Sequence, residues 1–268
     1  MISFRLLAVF CIAYGSGAAD LPQTDDGFLW DAPYRLEKGW QSLLNGRDLG
    51  GWHSEAGWRG DPNRLREWFA TSQVSWSRIY TPISLTANRT GGPMIVNGDV
   101  SHTSNLISDQ KFGDMELYLE FLIPKGSNSG VYLHGLYEVQ IFDSYAAGVT
   151  LTTGDAGAIY ERWENNKGFG GSAPLRNASR PPGEWQSYHI WFRSPRFDSG
   201  GRKTENARFV RVVYNGLVVQ NNFEIDGPTR SALPLPEGLK NPIMLQGDHG
   251  PVAFRNIYVK QGLPDSVR

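Results

Sequence analysis

The chain has almost no cysteine: Cys11 is the only one among 268 residues. A disulfide framework, a cysteine-based metal knot and a thiol nucleophile in the folded region are therefore excluded. Charge is scarce in blocks of either sign. The 26 basic residues stand against 27 acidic ones, without Lys/Arg runs, so there is no electrostatic footprint for nucleic acid or for an anionic membrane. Helical periodicity is nearly missing as well. His53–Trp68 is the one helix-like patch, and Gly57, Gly60 and Pro62 break it into an expected loop. What remains is 40% hydrophobic content with nine Trp and 31 Gly, the composition of a core-forming, turn-rich chain. At this length one large all-β domain accounts for everything, and no second domain is needed.

Residues 1–19 read as a secretory signal peptide. Arg5 gives a short positive start, Leu6–Ala13 is an apolar run too short to span a bilayer, and Gly17-Ala18-Ala19 is a small-residue cleavage context. Cleavage there removes the sole cysteine and Arg5, leaving 25 basic against 27 acidic residues. The expected product is exported, periplasmic or extracellular, with no membrane partner after cleavage. Residues 20–38 read as an extended arm, 39–262 as the folded domain and 263–268 as a short C-terminal tail.

Within the domain, turn signals alternate with short β-rich runs. Asn97-Gly98-Asp99 between Val96 and Val100 predicts a hairpin, and Asn215-Gly216 between Phe209–Tyr214 and Leu217–Gln220 predicts the clearest one. Trp52, Trp58, Trp68 and Trp76 are expected to be mostly core, with sugar stacking as the alternative role. Many short strands without helical pattern imply an antiparallel two-sheet sandwich.

The run Met115–Ser144 carries the chemistry. Met115, Leu117, Leu119, Phe121 and Ile123 alternate with Glu116, Tyr118 and Glu120, a strict period of two. Val131 and Leu133 alternate with Tyr132 and His134, and Val139 and Ile141 with Glu138 and Gln140. Three adjacent strands are thus predicted to offer Glu120, His134, Glu138 and Gln140 on one polar face. Asp143 lies an odd step from Glu138 and would join that face only through a one-residue bulge near Ile141-Phe142. The plain alternative is that these carboxylates merely solvate a sheet.

Six pieces occur in order: Gly39-Trp40 through Asn45-Gly46 and Asp48 to Trp52, Asn128-Ser129-Gly130-Val131-Tyr132-Leu133, Tyr137-Glu138-Val139-Gln140-Ile141-Phe142-Asp143-Ser144, Gly157-Ala158-Ile159-Tyr160, Pro182-Gly183-Glu184-Trp185 and Phe254-Arg255-Asn256-Ile257. Together they resemble the 3-keto-disaccharide hydrolase family of secreted bacterial proteins, over about residues 39 to 260. The family usually has Arg where this chain has His134. The resemblance implies a concanavalin- or laminin-G-like jelly roll with a carbohydrate lying on its concave face. It also implies cleavage of a glycosidic bond in a sugar already oxidised at C3, whose ketone acidifies the C2 proton.

That reaction needs a base, a stabiliser for the enolate and an acid for the leaving group. Glu138 or His134 is the candidate base and Asp143 its acid partner, with Glu120 on the same face. Gln140, Tyr132, Tyr118, Tyr160, Arg180, Gln246 and His249 are the candidates for holding the sugar. A divalent metal at Glu138 and His134 is a further option for polarising the ketone, although no compact metal motif is present. Two other readings use the same residues. One is a conventional glycoside hydrolase with Glu138 and Asp143 about 5–5.5 Å apart; the other is a non-catalytic carbohydrate-binding jelly roll.

Overall fold

A computed structural model describes residues 32–55, 68–98 and 103–264. The signal-peptide reading, most of the arm, and residues 56–67 with Trp58, 99–102 and 265–268 lie outside the described residues. Two antiparallel sheets face each other. The larger runs Leu217–Ile225, Ala207–Tyr214, Gln186–Arg193, Met115–Leu122, Ala253–Gln261, Met94–Val96 and Phe69–Thr71, with Gln41–Ser42 also pairing to Ala253–Gln261. The smaller runs Tyr137–Phe142, Asn128–Leu133, Asn241–Leu245, Leu106–Phe112 and Trp52–Ser54. Among the described residues the one helical element is a 3-10 turn at Pro33–Arg35. No helix there is long and apolar enough to cross a membrane.

Alternation dictates which faces meet. Met115, Leu117, Leu119 and Phe121 from the larger sheet and Val131, Leu133, Val139 and Ile141 from the smaller all belong to one buried cluster between the sheets. Tyr188, Phe192, Phe209 and Tyr214 fill the same layer. Each such side chain contributes roughly 1.5–3 kcal/mol relative to exposure.

This packing corrects the expectation of three adjacent strands. Met115–Leu122 is in the larger sheet, whereas Asn128–Leu133 and Tyr137–Phe142 are neighbours in the smaller. The turn Pro124–Ser127 is therefore a crossing between sheets, not a hairpin. Because both apolar faces turn inward, the two polar faces must point away from each other.

The Asn215-Gly216 hairpin forms as expected, with φ of 47° and 81° at its two corner residues. The arm is not extended throughout. At its end Tyr34 stacks on Tyr258 with ring centroids 3.9 Å apart, and Glu37 pairs with Lys260 at 2.7 Å. An aromatic face on the larger sheet thus captures the chain before the first strand.

Of the hairpin reading at Asn97-Gly98-Asp99, which extends outside the described residues, Asn97 can be placed. It is fully buried, its Nδ2 donating to the carbonyls of Gly247 (3.0 Å) and Gly250 (2.8 Å) while Oδ1 accepts from Val252 N (2.8 Å). One side chain therefore ties together both ends of the 247–252 turn. Replacing it by Ala strands two buried backbone groups, Gly250 O and Val252 N, each costing about 1–3 kcal/mol, whereas Gly247 O keeps the Thr103 amide and hydroxyl as donors. Asn97→Ala should lower unfolding free energy by about 3 kcal/mol in chemical denaturation; a change under about 1 kcal/mol would show that the turn holds its own shape.

Candidate functional site

The outer face of the smaller sheet carries the polar residues Tyr132, Glu138 and Gln140. A cavity of about 170 Å³ opens there, lined by Asn128, Tyr132, Glu138, Gln140, Tyr160, Arg230, Ser231, Gln246 and His249. Its size lies below the roughly 300–1,000 Å³ of pockets for drug-sized ligands and suits a single ring.

Strand register places the floor. Glu138 is opposite Tyr132 and Gln140 opposite Gly130, without a register shift. Met244 is also opposite Tyr132, and Gln246 N donates to Gly130 O at 2.9 Å. The backbone of Glu138 and Gln140 is held on its other side too: Gln140 N donates to Ala158 O, Tyr160 N to Glu138 O and Glu138 N to Thr229 Oγ1 (2.9, 3.1 and 3.2 Å). The Glu138 side chain then lies across Gly130, where a Cβ would overlap its carboxyl oxygen and come within 2.9 Å of Cδ. Glycine is required there by the carboxyl group, since the backbone is an ordinary strand.

Glu138 is buried. Burial, the largest influence, and the nearby Asp248 charge push its pKa up to about 8 against the opposing hydrogen bond from Tyr132. At neutral pH the group is a carboxylic acid holding a proton. Tyr132 has one hydroxyl hydrogen and two acceptors, the Arg230 carbonyl at 3.1 Å and Glu138. With Glu138 neutral both groups are satisfied, because the acid donates to the phenol oxygen and the phenol donates to Arg230 O. Burial and then Glu138 also raise Tyr160, which the charge of Arg230 and a hydrogen bond donated by it temper.

Three amide oxygens, Asn128 Oδ1, Gln140 Oε1 and Gln246 Oε1, are buried without a partner among the described residues, and all three belong to residues of this cavity. Orphaned acceptors cost about 1–3 kcal/mol each, so the cavity favours a ligand carrying several hydroxyl donors. At the rim His249 Nδ1 is 2.5 Å from Asp248 Oδ1, with the Gln246 amide nitrogen at 3.3 Å. A carboxylate can only accept, so Nδ1 carries the hydrogen and Nε2 the lone pair.

Of the residues singled out from sequence, Glu138, Gln140, Tyr132, Tyr160, Gln246 and His249 come together. Five do not. Glu120 is buried on the outer face of the opposite sheet, where it accepts from Arg255 Nε (2.5 Å), Asn256 Nδ2 (3.1 Å) and Tyr118 OH (3.0 Å). The strand shifts register between Arg255 and Tyr258, and Glu120 ties that irregularity down. Tyr118 accompanies it there, against Tyr34. His134 sits in the turn after Asn128–Leu133 with a φ of 59° and is fully buried, edge-on to Phe192 and 3.3 Å from Ser194 Oγ. Burial lowers its pKa to about 4, so it is a neutral core imidazole. Asp143 does not join the polar face because there is no bulge in its strand; it accepts from Gly126 N at 2.8 Å at the sheet crossing. Arg180 is not in the cavity lining, and its own amide donates to Gln186 Oε1.

Sequence reasoning did not single out Arg230, Ser231, Asn128 or Asp248 as site residues. Arg230 sits in the polar, turn-rich run Gly227-Pro228-Thr229-Arg230-Ser231, whose composition was the available signal. No group of three or more His, Cys, Asp or Glu placed to hold a metal ion exists among the described residues.

Comparison with known proteins agrees with this architecture. A crystal structure from Parabacteroides distasonis, of a protein provisionally described as a glycosyl hydrolase, superposes with a TM-score of 0.59 at 28% identity, covering 84% of each chain. Two further proteins of that organism with the same description give TM-scores of 0.51, at 20% and 17% identity, over 84% and 83% of this chain and 99% and 94% of theirs. These likenesses establish the jelly-roll sandwich. No curated protein sequence matches the chain. The family model described as a 3-keto-alpha-glucoside-1,2-lyase-like domain matches residues 39–260.

Proposed function

Because the chain belongs to the 3-keto-alpha-glucoside-1,2-lyase-like family, a carbohydrate-active group, we propose that it cleaves 3-keto-glycosides by elimination across C1 and C2 and then adds water. The observation that carries this reading is a single buried carboxyl group, Glu138, whose pKa burial raises to about 8, sharing one cavity with His249, itself paired to Asp248. Among the described residues the cavity lining has no second carboxylate, so the paired acids of conventional glycoside hydrolysis have little support.

In the proposed sequence His249 Nε2 removes the C2 proton, and the electron pair forms an enolate with the C3 oxygen. Arg230 at the rim supplies positive charge for that oxyanion. The ketone re-forms, C1 and C2 become doubly bonded, and the C1–O bond breaks. Glu138 gives its proton to the departing oxygen. Water then adds its hydroxyl to C1 and a proton to C2, yielding the free 3-keto-sugar. Asn128, Gln140 and Gln246 hold the ring hydroxyls.

The route is tested in deuterated water with p-nitrophenyl 3-keto-glucoside. Elimination places solvent deuterium at C2 of the earliest product, and turnover should fall as pH rises through about 8, where Glu138 loses its proton. Early product with C2 fully protiated would overturn the elimination.

A further inference from the structure

We propose that Trp163 is the platform for the second ring of the substrate, a pyranose or aromatic aglycone lying just outside the cavity. This rests on the reading of the cavity as a 3-keto-sugar site. A space of about 170 Å³ takes one ring, so the group on C1 must lie beyond the mouth. Trp163 stands on a small hairpin, Arg162–Glu164 with Lys167–Phe169, and is 42% exposed.

Arg230 connects the two places. Its guanidinium carbon lies 3.9 Å from the Trp163 ring centroid, while its carbonyl accepts from Tyr132 on the cavity floor and its amide donates to Glu161 O at 2.9 Å. The indole is thereby fixed relative to the cavity by a single residue. Glu161 adds a polar partner. Its carboxyl lies over Gly168, the cross-strand neighbour of Trp163, so a hydroxyl acceptor stands on the same small hairpin as the indole. An exposed, braced indole with an acceptor on the same hairpin matches the two surfaces of a sugar ring, apolar C–H on the face and hydroxyls at the edge.

The test compares p-nitrophenyl and methyl 3-keto-glucosides. Trp163→Ala should lower kcat/KM for the aryl substrate about ten-fold, through KM. It should leave the methyl substrate within about two-fold, and Trp163→Phe should restore most of the loss. An equal effect on both substrates, or none on either, overturns the inference. If the parent protein cleaves neither, the reaction reading falls while the subsite is decided by calorimetry with p-nitrophenyl and methyl glucosides. An affinity gap that vanishes in Trp163→Ala sustains the subsite; no gap overturns it.

Discussion

Glu138→Gln should lower turnover of a 3-keto-glucoside by about 10²–10⁴-fold, the usual cost of removing a positioned acid-base group, while the protein remains folded. The substitution is nearly isosteric, and the group it replaces is already neutral at pH 7, so no buried charge is lost or left unpaired. Stability provides an independent readout. An unfolded chain ionises this carboxyl near the ordinary value of 4.5, whereas the native state holds its proton to about 8. Between those values the native state binds a proton that the unfolded chain releases. The parent is therefore most stable, as far as this group is concerned, below about 4.5 and loses that contribution as pH rises to about 8. Glu138→Gln should flatten that part of the profile. Unchanged activity in a variant that melts normally would move the chemistry to the Asp248–His249 pair alone.

Gly130→Ala should be nearly as damaging without touching a chemical group. The added methyl overlaps the place occupied by the Glu138 carboxyl, which is the far end of a side chain and can move. The strand should therefore fold with its acid displaced by about an ångström. Misplacement on that scale costs about 10²-fold. The measurement is kcat/KM beside the thermal midpoint; a variant that keeps both would mean that Glu138 tolerates another rotamer. A variant that loses fold and activity together would make Gly130 a packing residue instead.

Alternation was legible in the sequence because it is local. It correctly separated Met115, Leu117 and Phe121 from Glu116 and Glu120, and Val139 from Glu138, since a period of two needs nothing beyond neighbouring residues. Which sheet a strand joins is not local. Glu120 and Glu138 share a pattern but face opposite sides of the molecule, because the chain crosses between sheets at Pro124–Ser127. His134 illustrates a related limit. A histidine after a strand looks like an available base, yet the turn takes a positive φ and points the ring at Phe192. Arg230 could not be assigned to the cavity for the opposite reason. It reaches the cavity on a loop whose position depends on Thr229 bonding to Leu136 and Glu138, contacts nearly a hundred residues away in sequence.

The strand that carries Glu138 is the last in its sheet, and the backbone bonds supplied by Ala158, Tyr160 and Thr229 have a consequence for behaviour in solution. An uncovered terminal strand as apolar as Tyr137–Phe142 would template addition of a strand from another molecule, the first step of self-association. Here those donors and acceptors are already occupied. The opposite end of the sheet, Trp52–Ser54, spans three residues, too few to recruit a partner strand firmly. The segments that hold the acid in place thus also keep the sandwich from growing at that border, and loosening them would be expected to show first as aggregation on concentration, before any loss of the fold.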